Sequence, residues 1–525
     1  MGALRAAQRC AARAAGAGVL AIGVSSLGCS RSLAPYGEAV VIVDTDLPPQ
    51  TLSAHLRVDT YTSDGVWLFS ADTARYTADD WPASFGVLET DLNAGRAIRV
   101  RLRVYPEQDT RDYRGERFAA EPTGGSPTSV VADPTPTSGP RLVVDGSDIT
   151  PPTEPEPTVT VDRLIDIDLK PGVLGSVTVL LAGACLGTMA DIAGDQTCID
   201  TENTRVPTPL VSLSPSLALP PSLTGTYGLE PPCNVTPRTA STVSGVAQHD
   251  EEICIQGGPF VLGDDGTFGS GSADGALNAA PVRFAVAPSM LLDRYEVTVA
   301  RWRAAVAKGF VAPFPVGTTE GPLLTAPPTD PSGDASLCTY SMAPSPGGQD
   351  REAYPMNCVR WDSARAFCKF IGSDLPTEAV WEYAALASSR PAKARFVSGG
   401  VPVCADLIYG RDGEPGTSSA CIASGFGPVA VTANPAADVT PDGIVGMAGN
   451  VSEHVLDVAA EYDSVCWETA GLVNPSCTAA GINTHVIRGT SWQDDLSAAD
   501  DRLPIALADN NLLSTGFRCA RPGAP

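Results

Sequence analysis

Between Arg96 and Pro106 the chain reads RAIRVRLRVYP, with Ile98, Val100, Leu102 and Val104 alternating with Arg99, Arg101 and Arg103. A period of two places the aliphatic side chains on one face of a strand and the arginines on the other. The basic stripe can bind an anion, lie in solvent, or pair with acids on neighbouring strands, and the last two are the commoner uses. Shorter runs repeat the pattern on either side: AVVIVDT from Ala39, LRVDTY from Leu56, GVWLFSA from Gly65, TVTVDRLIDIDL from Thr158 and GSVTVLLAGAC from Gly175. Several short strands separated by turn signals predict an all-β antiparallel sandwich, immunoglobulin-like, over residues 35–200. Glu121–Pro140, rich in Pro, Ser and Thr, interrupts it as a loop insertion.

The period then changes. VPTPLVSLSPSLALPPSL, from Val206, has too many prolines for a regular helix or a central strand, and it is expected to be part of an interdomain linker at 201–245. From residue 250 to 525 three helical patterns stand out among long irregular stretches. In MLLDRYEVTVARWRAAVAKGF a strand gives way to a helix capped by Thr298, with Trp302, Ala305 and Val306 on its apolar face and Gly309 as its stop. WDSARAFCKFIG predicts a second helix with Asp362 as cap, Ala364, Phe367, Cys368 and Ile371 as stripe, and Gly372 as end. LPTEAVWEYAAL predicts a third, with Thr377 as cap and Glu378 in the first turn, where the helix dipole favours an anion. Few helices amid much loop imply an α+β unit.

A length of 525 residues exceeds one hydrophobic core, which agrees with two domains. The net charge of −25 repels phosphate backbones and argues against a nucleic-acid partner, while divalent cations suit it better. Arg5, Arg9 and Arg13 precede an apolar run from Ala14 to Leu27 that is too short to span a membrane permanently. Residues 1–28 therefore read as an export signal, and SLGC up to Cys29 resembles a lipobox in which the new N-terminal cysteine carries lipid. Export to the cell envelope, by lipid anchor or in periplasmic or extracellular form, is the expected localisation.

Cysteine usage agrees. Of 14 cysteines, Cys10 falls in the signal and Cys29 would carry lipid, which leaves an even set, as disulfides in an oxidising compartment require. Proximity suggests Cys185 with Cys198, Cys233 with Cys254, Cys338 with Cys358, Cys404 with Cys421 and Cys466 with Cys477. Cys368 and Cys519 remain, and spacing alone leaves the connectivity open. No CxxC occurs, so a structural zinc site is disfavoured.

Six passages occur in a telling order: CIQGGPFVLG, DRYEVTVARW, MNCVRWDSARAFCKFIGSDLPTEAVWEYAA, GIVGMAGNVSEHVLD, RGTSW and GFRCAR. The ordered set resembles the formylglycine-generating enzyme family, also called sulfatase-modifying factors, over residues 250–525. The resemblance implies a loop-rich α+β fold related to C-type lectins and an oxidation of a substrate cysteine with O2 and copper, or with non-haem iron in related branches. It implies a disulfide between Cys368 and Cys519. It also implies structural calcium at the turn Gly449–His454, held by the side chains of Asn450 and Glu453 and the carbonyls of Gly449 and Val451, with a second site near Asp406 and Leu407. Ser452 and His454 replace the two tryptophans of the family turn.

The same comparison removes the chemistry. After the turn Gly489-Thr490-Ser491-Trp492, the family's two copper-binding cysteines fall on Asp494 and Ala499. A carboxylate is a hard ligand that forms no mixed disulfide, and alanine offers no ligand, so copper is not expected. Ser491 matches an active-site serine, whereas Ser514 replaces an asparagine. Iron needs clustered histidines, and the chain has only His55, His249, His454 and His485. A facial triad of His454, His485 and Asp494 or Asp495 is the weaker alternative. Two functions stay open: a non-catalytic, calcium-stabilised binding or scaffold module for a protein or glycan ligand, or an oxidoreductase of this family with altered metal ligands acting on a protein cysteine. The acids Asp494, Asp495, Asp500 and Asp501 would then form a polar or cation-seeking rim, or a solvated loop.

Overall fold

The computed structural model describes residues 37–523 apart from several internal stretches, the longest being 90–95, most of 107–152, 264–278, 324–336, 413–420, 495–501 and 507–512. The expected signal, Cys29, Asp495, Ala499, Asp500 and Asp501 lie outside the described residues.

Seven strands build the first half: β1 (Gly37–Thr45), β2 (His55–Thr62), β3 (Trp67–Ala74), β4 (Ala83–Glu89), β5 (Arg96–Tyr105), β6 (Val161–Leu169) and β7 (Leu174–Leu181). A short β8 (Leu210–Val211) follows. They form two sheets, ordered β8-β6-β5-β2-β3 and β7-β1-β4. Ile98, Val100, Leu102 and Val104 of β5 and Val41 and Val43 of β1 are buried in one core between the sheets, as their alternation predicts. The sandwich stands, but two details of the expectation do not. Strand β1 runs parallel to β7, so the sandwich is not purely antiparallel. The second and third strands pair within one sheet, whereas the immunoglobulin arrangement puts them in opposite sheets.

The arginine stripe is buried rather than solvated. Arg101 bonds Asp162 on β6 at 2.7 Å, Arg99 bonds Asp166 at 2.9 Å, and Arg103 bonds Asp59 on β2 at 2.6 Å. Arg103 and Arg57 also pair with Glu154, from the short strand Thr153–Pro155. Register explains this. Asp59 stands opposite Arg101, and Asp162 stands opposite Arg103, so acids and bases alternate across three strands on the outer face.

The proline-rich stretch expected to be a linker instead lies along the sandwich. Leu210 and Val211 pair in parallel with Asp166 and Ile167, Ser214 exchanges backbone hydrogen bonds with Ser176, and Ser222 and Thr224 donate to Asp44. Proline removes donors but leaves carbonyls, and an edge position tolerates that. Tyr227 then stacks at an angle on Phe284, and Val261, Val282, Phe284 and Val286 join the core of the sandwich. The two halves therefore share apolar packing.

The second half contains β9 (Glu252–Ile255), β10 (Gly258–Leu262), β11 (Arg283–Ala287), β12 (Met290–Asp293), α1 (Val299–Ala307), α2 (Trp361–Phe370), α3 (Glu378–Glu382), β13 (Ser452–Val458), β14 (Thr484–Arg488), β15 (Arg502–Ala506), β16 (Thr515–Gly516) and β17 (Ala520–Pro522). The sheets run β9-β12-β17 and β15-β14-β13-β16, and β10 pairs with β11. Thr298 and Thr377 cap α1 and α3 through their side chains. Helix α2 starts two residues earlier than expected, so Asp362 sits in its first turn and Arg360 takes the cap position. Val306 is exposed, because the buried face of α1 is carried by Trp302 and Ala305. Trp302 stacks on Phe367 of α2, and Phe310 and Phe517 complete that cluster. All five proximity pairs and the Cys368–Cys519 bridge are formed.

Arg103 is fully enclosed with Asp59 and Glu154. Removing it strands two buried carboxylates, so Arg103→Ala should lower the free energy of urea unfolding by about 3–5 kcal/mol. A loss within ~0.5 kcal/mol, the range of surface changes, would show that the cluster is not enclosed.

Candidate functional site

The candidate site is set by β13 and β14, which are antiparallel neighbours. Strand β14 ends at Arg488, and Gly489 turns the chain with φ +80°. A Cβ at Gly489 would stand 2.8 Å from the Met447 carbonyl, so only glycine fits this turn. The chain is then held on both sides. Trp492 N–H donates to the Asn450 carbonyl at 2.8 Å, Arg411 N–H donates to the Trp492 carbonyl at 2.7 Å, and Gly410 N–H donates to the Asp494 carbonyl at 2.9 Å. Trp492 is buried against Phe426, Ile408, Val451 and Leu513.

At the first expected thiol position, the Asp494 carboxylate serves the turn itself. Its Oδ2 accepts from Ser491 Oγ at 2.5 Å, from Ser491 N–H at 3.2 Å and from Ser452 Oγ at 3.5 Å. Gln493 N–H donates to Ser491 Oγ at 3.1 Å. Ser491 is thus fixed by the residue at the expected thiol position. The structure brings Ser491, Trp492, Asp494 and Ser452 together, and Ala499 lies outside the described residues.

The residues expected to hold calcium do other work. Asn450 has φ +73°, and its Oδ1 accepts from Val429 N–H at 2.9 Å while its Nδ2 donates to Glu296 Oε1 at 3.0 Å. Glu453 is buried, and its Oε2 accepts from Trp381 Nε1 at 2.8 Å. Arg518 grips both oxygens of Glu453 through Nε, at 2.9 and 2.8 Å, and reaches Oε1 again through a terminal nitrogen at 2.6 Å. Asp406 Oδ2 accepts from Val403 N–H at 3.0 Å. Calcium needs six to eight oxygens pointing at one centre, and the side-chain oxygens of Asn450, Glu453 and Asp406 point at protein donors. The donor set does not fit calcium at Gly449–Glu453, and among the described residues no three His, Cys, Asp or Glu groups converge as a metal site. Of the residues in the sequence expectation, Asn450, Glu453, Gly449, Val451 and Asp406, the three polar side chains are thus engaged by protein donors.

The two histidines of this half lie on paired strands, close enough for His485 to act on the His454 charge, and each ring is engaged by a carbonyl. His454 is buried with Nε2 3.0 Å from the Val359 carbonyl, and burial pushes its pKa down to about 4. His485 stacks on Trp361 at 3.7 Å between centroids, with Nδ1 3.1 Å from the Asp457 carbonyl. Asp494 instead faces the hydroxyls of Ser491 and Ser452.

Sequence reading missed the group under the turn. Arg518, already bound to Glu453, also donates to the carbonyls of Asp293, Arg294, Val445 and Gly446. Glu296 and Asp438 lie in the same buried region, and each keeps one carboxyl oxygen without a partner. Burial pushes the Glu296 carboxyl up to about 8 and the Asp438 carboxyl up to about 7. The only sequence signals were the glutamate in DRYE and the arginine in GFRC, neither of which announces a partner.

These two acids make stability pH-dependent. Each is protonated in the folded state well above its ordinary range, so its contribution is complete below about pH 4 and drains away as pH rises through about 7 and 8. Thermal unfolding should therefore show falling stability from pH 6 to pH 9. Glu296→Gln should flatten that slope and be the more stable protein at pH 8.5, by roughly 1 kcal/mol or more. Parallel profiles for the two proteins would refute the assignment.

Comparison with known proteins follows the same half of the chain. Residues 239–522 match the family described as "Sulfatase-modifying factor enzyme 1-like domain". The formylglycine-generating enzyme of Streptomyces coelicolor is 28% identical over 294 residues, covering 51% of this chain and 88% of that protein. "Inactive C-alpha-formylglycine-generating enzyme 2" of Bos taurus is 27% identical over 183 residues, covering 34% of this chain and 53% of that protein. Among solved structures, PvdO from Pseudomonas aeruginosa aligns with 99% of its own chain and 55% of this one, at 20% identity and a TM-score of 0.38. With a domain match across more than half its length, this chain belongs to the sulfatase-modifying factor family, whose members include the formylglycine-generating enzymes.

Proposed function

We propose that the chain is a non-catalytic recognition or scaffold protein built on a formylglycine-generating-enzyme-like domain. The observation that carries this reading is Asp494. It occupies the first expected thiol position, and its carboxylate is spent on Ser491 and Ser452. An oxygen anion held by hydroxyl and amide donors cannot exchange with a substrate thiol, and it is a poor ligand for Cu(I). Ser491 keeps its place but is tied down by the same carboxylate. The inherited site and the loop-rich surface around it then serve binding, and a protein or glycan is the ligand class. The bovine relative described as inactive is a precedent for a family member without the activity, and that description concerns the bovine protein alone.

Export and anchoring belong to the same proposal. Six disulfides suit an oxidising compartment. Among the described residues no helix is long and apolar enough to cross a membrane, so attachment would rest on lipid at Cys29.

Two experiments test the reading. The purified chain, supplied with Cu(I), O2 and a CxPxR peptide, should leave the peptide cysteine unchanged in mass spectra. Appreciable conversion to formylglycine would overturn the non-catalytic reading in favour of an oxidoreductase with altered ligands. In a bacterial host fed a clickable fatty acid, the wild-type chain should take up label and Cys29→Ala should lose it. Equal labelling of both, or of neither, would refute the anchor.

A further inference from the structure

The sandwich is closed on one side and open on the other. On β3, Thr73, Ala71 and Phe69 stand opposite Leu56, Val58 and Thr60 of β2. Leu56 and Val58 face the core, so their β3 partners face the same way. Leu56 and Val58 are covered by the second sheet, whereas Phe69 is 56% exposed and Thr73 is exposed as well. The five-stranded sheet therefore projects past the three-stranded one by about the width of a strand, ~4.8 Å. The space above β3 is a trough of about 290 Å³, lined by residues that include Leu68, Phe69, Ala71, Phe85 and Leu88.

One wall of this trough is the bare edge of β4. Among the described residues β4 pairs only with β1, so its other side offers unpaired amides and carbonyls. Edge strands normally carry lysine, proline or inward charge to repel pairing. Strand β4 reads ASFGVLE, with no lysine and no proline inside it, and its one charge is Glu89 at the end. Leu88 at its far end is 53% exposed. The crossover Arg75–Pro82 closes the other end, where β4 begins. There Arg75 lines the trough, and its Nε is buried without a hydrogen-bond partner.

We propose that this trough accepts one extended segment of another polypeptide, which adds as a fourth strand beside β4. Its backbone would pair with the free edge, and every second side chain, apolar, would lie on Leu68, Phe69 and Ala71. The segment runs antiparallel to β4, because that direction brings its C-terminal end to Arg75. A carboxylate there, from an acidic residue or a chain terminus, would meet the half-buried Arg75 guanidinium. A second copy of this chain fits poorly. Two copies joined through β4 would bring both projecting β3 strands into the same space. The site lies in the first half of the chain and stands whether or not the second half retains oxidation chemistry.

The test uses the full chain and a fluorescein-labelled octapeptide of alternating valine and threonine with a free C-terminal carboxylate. Anisotropy should saturate. Methylating alternate peptide nitrogens, or the exposed-site variants Phe69→Arg and Leu88→Lys, should weaken binding about tenfold or more, and amidating the peptide or making Arg75→Gln about threefold to tenfold. An unchanged melting temperature for each variant excludes misfolding. Absence of saturable binding, or equal binding of the N-methylated peptide, would overturn strand addition. So would a concentration-dependent dimer that Phe69→Arg abolishes, which would assign the trough to a second copy.

Discussion

The second half of this protein depends on one buried ion pair. Arg518 meets Glu453 with a flat guanidinium against a flat carboxylate, and its remaining donors reach four backbone carbonyls. Two charges taken out of water cost more than their attraction returns unless every donor and lone pair is used. Here they are used, since Trp381 supplies the further donor to Glu453. The pair joins β13, α3 and the segments at 293–294 and 445–446, which are far apart in sequence. Glu453, in the turn where the resemblance implies an ion, is thus one arm of a protein cross-brace. The loops around Asn450 and Trp492 can be irregular because the arginine beneath them is not.

The same principle recurs in the first half with a different layout. Arg57, Arg101 and Arg103 lie among Asp59, Asp162 and Glu154 under a cover that includes Thr153–Pro155. Both halves therefore bury ionic layers as well as apolar ones. They meet through apolar side chains, with Tyr227 against Phe284 and Val261 in the common core.

Much of this was legible in the residues, and what was not has a physical reason. Alternation in RAIRVRLRVYP separated the aliphatic face of β5 from its arginine face correctly, but gave no sign that the arginine face is buried as well. Threonine caps located α1 and α3, because an unpaired helix N-terminus selects them. The pairing of β1 with β7 was invisible, since register across 130 residues leaves no local mark. Proline content suggested a free linker, yet the Pro209 carbonyl and the residues between the prolines still pair along the sheet edge. At the site, the loss of thiols at Asp494 could be counted along the chain. The roles of Asn450 and Glu453 could not, because amide and carboxylate oxygens suit a cation and a protein donor equally well.

The position of Arg518 and Cys519 along the polypeptide has a consequence for biosynthesis. Glu453, Asp293 and Cys368 are all made earlier than the two residues that brace and bridge them. A ribosome adds roughly 5–20 residues each second, so the partners of this clamp wait several seconds for it. Until it arrives, Glu453 has no guanidinium and Cys368 has a free thiol. The second half cannot close from its beginning forward; it must be finished in a single late step, after nearly everything it locks has already been laid down.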